Sequence, residues 1–346
     1  MARVRISDIA QEAGVSPATV SRYLNNRPGS MSEETRARIA EVIERTGYRP
    51  NSAARSLRTD RTHVLGVILS DIRNPFFSAM LESLSARAAQ DGYSLMTSVT
   101  TNNSQAEAEA IDRLTAAGVD GLIVNTCGGN DERMAKIGVQ TPIVLLDRDT
   151  AGGDIDLVTS NNGELMAQLV AEIAEGGCTR CHLVTEHNDT SSIRRERSNR
   201  FVREIADRDM KGDVFAISSK TGPAVEQIKM LMDESGEEGP LGLIAINGLV
   251  FLRLVDALNA TGAAIPAHVR LATFDDYAWN RVLYGGVTTA AQDTQSMADA
   301  IVELLLERLE DEDAEGRERS VEPVARTRIE VPGSVIRRAS TAPSQQ

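Results

Sequence analysis

The chain has 346 residues, more than one compact core accommodates, so its length favours two or three domains. Hydrophobic residues make up 41% and charged residues 25%, as in an ordinary globular protein, and no apolar run approaches the ~20 residues that cross a bilayer. The amino terminus lacks the apolar stretch of a signal peptide, and three cysteines argue against a disulfide scaffold. The composition therefore predicts a cytoplasmic protein.

The charge is distributed unevenly along the chain, whose net charge is −13. Residues 1–61 contain 11 arginines, no lysine and 7 acidic residues, a net of +4, so the remaining 285 residues carry −17. A basic amino-terminal segment on an acidic body is expected when only that segment meets a polyanion such as nucleic acid.

Two short helices are predicted near the amino terminus. The first covers "RISDIAQEAG", where Ser7 is the expected cap and Gly14 the end. The second lies in "VSPATVSRYLNN", where Ser16 is the cap and Pro17 takes the first helical position. Two helices joined by a tight Gly-Val-Ser turn indicate a helix-turn-helix, although an ordinary helical hairpin has similar spacing.

A third helix is predicted in "MSEETRARIAEVIERTGY", beginning after Ser32 and ending at Gly47. After Pro50, residues 51–58 form a polar run with a single exposed leucine, Leu57. The run has too few apolar residues to fold alone, so we expect it to become ordered only against a partner.

From residue 63 onward, short apolar runs alternate with helical segments. The predicted strands are 64–70, 94–100, 120–125, 142–147, 181–185, 212–217, 241–246 and 269–274. The predicted helices are 75–93, 104–119, 163–176, 193–208, 222–235 and 248–261. This alternation predicts an α/β body of two doubly wound parallel-sheet subdomains, in which ligands bind beyond the carboxyl ends of the strands.

Polar residues and a phenylalanine pair follow five of these strands, and Gln292 lies near the segment "VTTAAQD". They are Asp71, Arg73, Asn74, Phe76, Phe77, Arg148, Arg194, Arg195, Arg197, Arg200, Asn247, Asp275, Asp276 and Gln292. A sugar or sugar-acid pocket needs this mixture, because bidentate groups bind vicinal hydroxyls and a flat apolar wall covers the ring face. The alternative is that each polar residue caps the helix that follows it.

Enzymatic and metal motifs are weak or missing in the sequence. No G-x-G-x-x-G follows a strand, and no phosphate loop, G-x-S-x-G or H-E-x-x-H is present. Cys178 and Cys181 form a C-x-x-C beside His182, but no further ligands lie near them in sequence, so a pair at a helix-to-strand turn is the simpler interpretation. We therefore expect no catalytic residue, no cofactor and no metal site.

Several segments together resemble the lac-repressor family (lactose, galactose and purine repressors) of bacterial regulators. They include "ISDIAQEAGVSPATVSRYLNN", "LGVILSDIRNPFFSAMLESL", "VDGLIVN", "PIVLLDR" and "LATFDD". The resemblance covers residues 3–336, and "RPGSMSEETRARI" is most similar to regulators of ketogluconate or hexuronate use. It implies a transcriptional regulator, a repressor, of carbohydrate catabolism genes.

The resemblance also implies the domain organisation. A helix-turn-helix domain covers 1–50, a hinge helix 51–62, and an effector-binding and dimerisation domain 63–334 that resembles periplasmic binding proteins. Its first subdomain takes 63–161 with 293–322, its second takes 162–292 with 323–334, and 335–346 form a flexible tail.

In this family the second helix lies in the major groove of a palindromic operator. The residues thereby implied to contact DNA are Ser16, Pro17, Ala18, Thr19, Ser21, Arg22, Asn25, Asn51, Ala54 and Leu57. The DNA backbone would be held by Ser16, Thr19, Ser21 and Asn25, and positions 17, 18 and 22 would read bases, with Arg22 suited to guanine. Leu57 in the hinge helix would wedge into a minor-groove step.

The resemblance further implies a set of effector contacts. They are Asn74, Phe76, Phe77, Asp147, Arg148, Arg197, Asn247, Asp275 and Gln292. Gly248 is a departure, because many members have an acid there. The carboxyl terminus has no leucine heptad, so we expect a homodimer, in which effector binding shifts one subdomain against the other and changes operator affinity.

Two other functions fit parts of the sequence. A solute-binding or sensor protein could use its basic segment for protein contacts, and an enzyme such as a sugar kinase could carry a DNA-binding appendage but would need a phosphate loop. Steep salt dependence of binding to palindromic duplexes distinguishes the regulator. The arginines at 194–200 favour an acidic sugar as the effector.

Overall fold

The computed structural model describes residues 4–24, 31–48, 61–186, 191–235, 239–314 and 326–343. The chain divides into two units, 1–63 and 64–346. Four of the expected DNA contacts, and nearly all of the expected hinge helix, lie outside the described residues. These contacts are Asn25, Asn51, Ala54 and Leu57.

The described part of the first unit contains three helices. They are α1 (Ile6–Glu12), α2 (Pro17–Leu24) and α3 (Glu33–Thr46). Each helix gives apolar side chains to one small core, in which Ile9, Val20 and Ile39 are fully buried. Helices this short are marginal in isolation, so this shared core holds them together.

Two of the three predicted helix starts are confirmed. Ser16 Oγ accepts a hydrogen bond from the Thr19 N–H at 3.1 Å, and Ser32 Oγ accepts one from the Thr35 N–H at 3.2 Å. The predicted end of α3 is also confirmed, because Gly47 follows it with a left-handed φ of 62°.

The predicted start of α1 is wrong. The helix begins at Ile6, so Ser7 lies inside its first turn rather than at the cap. The Asp8 carboxylate reaches back and accepts a hydrogen bond from the Arg5 N–H at 2.8 Å. This side chain fixes the residue that precedes the helix, and the helix therefore starts two residues before the expected position.

The second unit contains two six-stranded sheets. In chain order the strands are β1 (Val64–Leu69), β2 (Ser94–Val99), β3 (Gly121–Val124), β4 (Ile143–Leu146), β5 (Asp156–Ser160), β6 (Arg180–Thr185), β7 (Val214–Ala216), β8 (Leu241–Ala245), β9 (Val269–Phe274), β10 (Thr288–Ala291), β11 (Arg328–Val331) and β12 (Ser334–Ile336). The first sheet has the order β11-β5-β4-β3-β1-β2 and is parallel throughout. The second has the order β12-β10-β9-β8-β6-β7, and only β12 runs antiparallel.

Helices cover the sheets. They are α4 (Pro75–Gln90), α5 (Ser104–Ala116), α6 (Asp131–Gly138), α7 (Asn162–Glu175), α8 (Ser192–Asp207), α9 (Thr221–Ser235), α10 (Gly248–Thr261) and α11 (Thr294–Ala314). Short 3-10 helices lie at Ala278–Arg281, Leu283–Gly285 and Ala339–Thr341. Among the described helices, none combines the length and the apolar character that a bilayer span requires.

The central strands are buried on both faces, as their continuous apolar sequences predict. Leu69 and Ile68 on β1 belong to separate apolar clusters, one on each face of the first sheet. The second sheet packs around Phe201, Phe251 and Phe274, each fully buried. The cores therefore lie between sheet and helices, and the polar residues remain at the strand ends.

Six elements were not predicted from the sequence: β5, β10, β11, β12, α6 and α11. The sequences of β5 (DLVTS) and β10 (TTAA) lack the apolar run that marks a buried strand. Both are nevertheless mostly buried, because each lies inside its sheet between two other strands.

The chain crosses between the two sheets three times, after β5, β10 and β11, and each crossing takes at most two residues. The crossings lie side by side. The Gly333 N–H donates to Asn161 Oδ1 at 2.9 Å, and the Asn161 N–H donates to the Val331 carbonyl at 3.2 Å. A Cβ on Gly333 would lie 2.5 Å from the Ala291 carbonyl oxygen, so this position accommodates only glycine.

Two of the expected domain assignments are wrong. Residues 323–334 were assigned to the second subdomain, but β11 pairs with β5 and completes the first sheet. Residues 335–346 were expected to be a flexible tail, but β12 pairs with β10, and Ser340 and Thr341 are buried. Ser340 Oγ accepts from the Thr288 N–H at 2.9 Å and donates to the Leu271 carbonyl, so this segment is fastened to the second sheet.

We expect Ser340→Ala to lower the free energy of unfolding by about 1–3 kcal/mol, because the buried Thr288 N–H loses its acceptor. Urea denaturation measures this change. The exposed Ser334→Ala is the control and should change stability by less than about 0.5 kcal/mol. Equal midpoints for the two variants would show that the segment is not fastened as described.

Candidate functional sites

The helix-turn-helix prediction is confirmed in the first unit. The turn between α1 and α2 is tight, because Gly14 adopts a left-handed φ of 65° and the Val15 N–H donates to the Ala10 carbonyl at 2.9 Å. Val20 fixes one face of α2 in the core. The opposite face of α2 is therefore presented outward.

The exposed face of α2 carries most of the residues expected to contact DNA. Ser16, Pro17, Ala18 and Arg22 are exposed, and Thr19 and Ser21 are partly exposed. Ala18 and Arg22 are four residues apart and share this face. The Ser16 hydroxyl already caps the helix and lies 2.9 Å from Thr19 Oγ1, so both hydroxyls are oriented within the first turn.

In the second unit, two of the expected effector residues cap helices. Asn74 Oδ1 accepts from the Phe76 N–H at 3.2 Å at the start of α4, and Asn247 Oδ1 accepts from the Val250 N–H at 2.9 Å at the start of α10. For these two side chains the capping alternative accounts for the position. Both caps still face the strand ends.

The phenylalanine pair is mainly part of the core. Phe76 and Phe77 meet edge to face, with centroids 5.2 Å apart, and both are buried. Phe76 also lines a small cavity of about 100 Å³ together with Asp275, Tyr277 and Gln292. This volume is below the about 300 Å³ of small ligand pockets.

Arg197 on α8 is a buried cation of this region, with only 4% exposed. Its Nε donates to Asn162 Oδ1 at 2.8 Å and its Nη1 to the Ile246 carbonyl at 2.8 Å. The guanidinium carbon lies 3.7 Å from the ring centroid of Phe274, a cation–π contact. Burial lowers the pKa of Arg197, and the nearby carboxylates of Asp275 and Asp147 oppose this shift.

Two buried aspartates, Asp147 and Asp275, stand directly after β4 and β9. Both have left-handed φ values, 65° and 71°, a strained conformation that occurs at binding sites. Burial raises the pKa of each carboxyl, and Arg197 opposes the shift in both. Asp275 Oδ1 accepts from Gln292 Nε2 at 2.6 Å, whereas the buried Oδ1 of Asp147 has no hydrogen-bond partner.

Arg148 and Arg194 complete the cationic part of the site. Arg148 Nη1 donates to Asn102 Oδ1 at 3.1 Å and to the Thr126 carbonyl at 3.3 Å. Arg194 Nη2 donates to Glu186 Oε1 at 2.5 Å, but its buried Nη1 has no partner. Burial lowers the pKa of Arg148, and the charge of Arg194 lowers it further, which places the two guanidinium groups within electrostatic range.

Three contacts connect elements of the two sheets at this site. Ser160 Oγ donates to Gln292 Oε1 at 2.9 Å, where two of the crossings meet. The Asp149 N–H donates to Ser192 Oγ at 2.9 Å, and Tyr277 Oη donates to Asn74 Oδ1 at 3.4 Å. We call this region, between the carboxyl ends of both sheets, the cleft.

Tyr277 was missed by the sequence analysis. Its ring contacts that of Trp279 in a tilted arrangement, with centroids 4.7 Å apart, and burial raises its pKa. Its position two residues after Asp275, at the same strand end, was the available signal. The aromatic wall of the cleft is thus formed by Phe76 and Tyr277 rather than by Phe76 and Phe77.

The C-x-x-C pair lies at a helix-to-strand turn, as interpreted from the sequence. Cys178 follows α7 and Cys181 lies on β6, and both are buried in the core of the second sheet. Burial raises the pKa of Cys178 to about 12. Within the described ranges, His, Cys, Asp and Glu side chains form no group of three that could hold a metal ion.

Comparison with known proteins decides the family. Residues 5–51 match the lacI family of bacterial regulatory proteins, and residues 170–341 match the periplasmic binding protein-like domain. The chain is 34% identical to the HTH-type transcriptional regulator PtxS of Pseudomonas putida over 343 residues, 99% of this chain and 97% of that protein. The chain belongs to the lacI family.

Further similarities agree with this lacI-family membership. The HTH-type transcriptional regulator KdgR of Bacillus subtilis is 31% identical over 309 residues, 88% of this chain and 91% of that protein. The lac repressor dimer bound to operator and the anti-inducer ONPF shares the fold, with a TM-score of 0.80 at 21% identity, over 99% of this chain and 100% of that one. The expected fold class, and the expectation of a DNA-binding transcriptional regulator rather than an enzyme, are thereby confirmed.

The buried Asp147 gives a testable pH dependence. Because its folded-state pKa is raised, the folded chain holds the proton more tightly than the unfolded chain, whose Asp pKa is about 3.9. Stability therefore falls as the pH rises above this value through the raised pKa. Asp147→Asn removes this pH-dependent loss of stability, because the asparagine side chain does not ionise. Asparagine also tolerates the left-handed φ at this position.

We expect the melting temperature of Asp147→Asn minus that of the wild type to increase from pH 4 to pH 7. Differential scanning fluorimetry across this range measures it. The exposed Asp154→Asn should show a constant difference. A difference for Asp147→Asn that shrinks with rising pH would contradict the burial argument.

Proposed function

We propose that the chain binds a palindromic operator as a homodimer, represses genes of carbohydrate catabolism, and responds to a small sugar acid that binds in the cleft. One observation carries the choice of ligand. The cleft contains a buried acceptor, Asp147 Oδ1, and a buried donor, Arg194 Nη1, and neither has a partner.

The operator-binding part of the proposal is supported by the outward face of α2. The first turn presents backbone N–H groups and oriented hydroxyls, which suit phosphate oxygens. Arg22 is the one exposed cation on this helix, and its guanidinium matches guanine O6 and N7. Pro17 and Ala18 offer only apolar contact there, so Arg22 dominates base recognition.

The choice of ligand follows from the polar groups of the cleft. An unpartnered buried acceptor calls for a ligand donor, which a sugar hydroxyl supplies, and an unpartnered guanidinium N–H calls for an acceptor. Arg194 lies within electrostatic range of both Arg148 and Arg197, because its charge lowers the pKa of each of them. A carboxylate offsets this repulsion, whereas a neutral hydroxyl does not.

Regulation follows if the effector has different affinities for two arrangements of the sheets. The direct contacts across the cleft, from Asp149 to Ser192 and from Tyr277 to Asn74, belong to one such arrangement. A ligand between these faces changes their separation, and the operator-binding units of a dimer respond to that change.

For Arg22→Gln we expect operator affinity to fall by about 10–100-fold, as for loss of one bidentate base contact, with relaxed preference at one base pair. The operator is first selected from random duplexes with the wild-type chain, and fluorescence anisotropy then measures affinity. Arg38→Gln on α3 is the matched control. Selection that yields no inverted repeat, or binding without salt dependence, would reject the regulator and favour the sensor alternative.

For the effector, we expect calorimetric titration to detect at least one of 2-ketogluconate, gluconate, glucuronate and galacturonate, and to detect glucose, fructose and galactose far more weakly. Arg194→Gln should weaken the acid by about 10–100-fold, since a charge-assisted hydrogen bond is lost. Arg203 is exposed on the same helix, so Arg203→Gln is the control and should leave affinity for the acid unchanged. Binding of neutral sugars while every acid fails would reject the sugar-acid proposal.

A further inference from the structure

A fully buried carboxylate lies behind the cleft, on the first subdomain. Glu107 occupies the first turns of α5 and is 0% exposed. Its Oε1 accepts from Thr126 Oγ1 at 2.9 Å and from Asn130 Nδ2 at 3.0 Å. Its Oε2 accepts from the Cys127 N–H at 2.7 Å and from Cys127 Sγ at 3.1 Å. A buried charge is tolerated only with such a set of donors.

All four donors come from residues 126–130, the segment that follows β3. Gly128 and Gly129 have left-handed φ values of 87° and 86°, which turn the segment around the carboxylate. Asn130 Nδ2 also donates to the Ser104 carbonyl at 2.9 Å, at the start of α5. The segment is therefore shaped by one side chain of the neighbouring helix.

This segment also holds a residue of the cleft. The Thr126 carbonyl accepts from Arg148 Nη1 at 3.3 Å. Glu107 is in addition a counter-charge for Arg148, since its negative charge opposes the lowering of the Arg148 pKa by burial. Glu107 therefore contributes to the position of the Arg148 guanidinium through the Thr126 carbonyl, and its negative charge stabilises this buried cation.

We propose that Glu107 is a positioning residue of the effector site: it fixes residues 126–130 and, through the Thr126 carbonyl, the guanidinium of Arg148. Glu107 does not touch the effector. The inference rests on the proposed function, because Arg148 matters only if the cleft binds the effector.

A glutamine cannot replace this carboxylate. Glu107→Gln converts one acceptor oxygen into an NH₂ donor. On the Oε1 side this donor would face the Asn130 amide, and on the Oε2 side it would face the Cys127 N–H. At least one buried donor is left without an acceptor, and the segment must shift.

The first readout is effector affinity. With the tightest-binding acid of the panel as probe, calorimetry should give a dissociation constant at least about tenfold higher for Glu107→Gln than for the wild type, as expected when a charged contact is misplaced. Affinity for the selected operator duplex without the acid should stay within about twofold. Glu109→Gln, exposed on the same helix, is the matched control and should bind the acid like the wild type.

The second readout is the reactivity of Cys127. Burial and the hydrogen bond to Glu107 raise the pKa of this thiol to about 12, so the wild type should react slowly with iodoacetamide at pH 8. Loss of the carboxylate lowers that pKa, and each unit raises the thiolate fraction about tenfold. Mass spectrometry should show faster alkylation of Cys127, with Cys178 and Cys181 still protected in the core, which shows that the variant is folded.

The outcomes separate this inference from the proposed function. Faster Cys127 alkylation with unchanged acid affinity in Glu107→Gln would overturn the positioning role. Unchanged alkylation would overturn the claim that Glu107 fixes the segment. If the wild type binds no acid of the panel, the sugar-acid proposal fails, and the Cys127 rate alone then decides whether Glu107 anchors residues 126–130.

Discussion

The burial of the Arg197 guanidinium is the constraint on which the cleft depends. A cation removed from water is stable only when its donors and its charge are matched by the protein. Here an aromatic ring, a side-chain amide and a main-chain carbonyl surround it, and two carboxylates balance its charge. These partners stand at the ends of different elements, so those ends cannot move independently of one another.

In the second unit, the residues that stabilise the fold and the residues of the cleft lie in different places. Apolar clusters on both faces of each sheet provide the stabilising burial. The strand ends instead hold strained aspartates and charged groups whose hydrogen bonding is incomplete. Such groups lower stability by themselves, and a ligand that completes their bonds recovers it. In the cleft, Asp147 Oδ1 and Arg194 Nη1 are the atoms whose hydrogen bonds a ligand can complete.

Much of this could be predicted from the sequence, because the signals are local. Apolar runs such as Val64–Leu69 and caps such as Ser16 and Ser32 depend on nearby residues, and the βαβ alternation places Asp147 and Asp275 at strand ends without any knowledge of packing. The family resemblance supplied the expected roles of the site residues.

What could not be predicted depends on partners distant in the chain. Thr288–Ala291 is a strand because β9 and β12 flank it, and its own composition does not indicate this. Ser340 is buried because it bonds to Thr288 and Leu271. Phe77 differs from Phe76 only in the direction of its side chain. The role proposed for Glu107 depends on its contacts with residues 126–130, which the sequence around Glu107 does not reveal. By contrast, α11 carries buried apolar residues at a four-residue spacing, Met297, Ile301, Leu305 and Leu309, which could have been recognised in the sequence.

The three short crossings have a mechanical consequence. Tethers of two residues or fewer, bonded to each other at Asn161 and Gly333, cannot lengthen, so the sheets cannot slide past one another. They can only pivot about the line of the tethers, through small changes of a few backbone dihedrals. Asn162, whose side-chain oxygen accepts a hydrogen bond from Arg197, is the first residue beyond one of these tethers. A ligand bound between the sheets would therefore act on the angle between them and not on the length of the crossings.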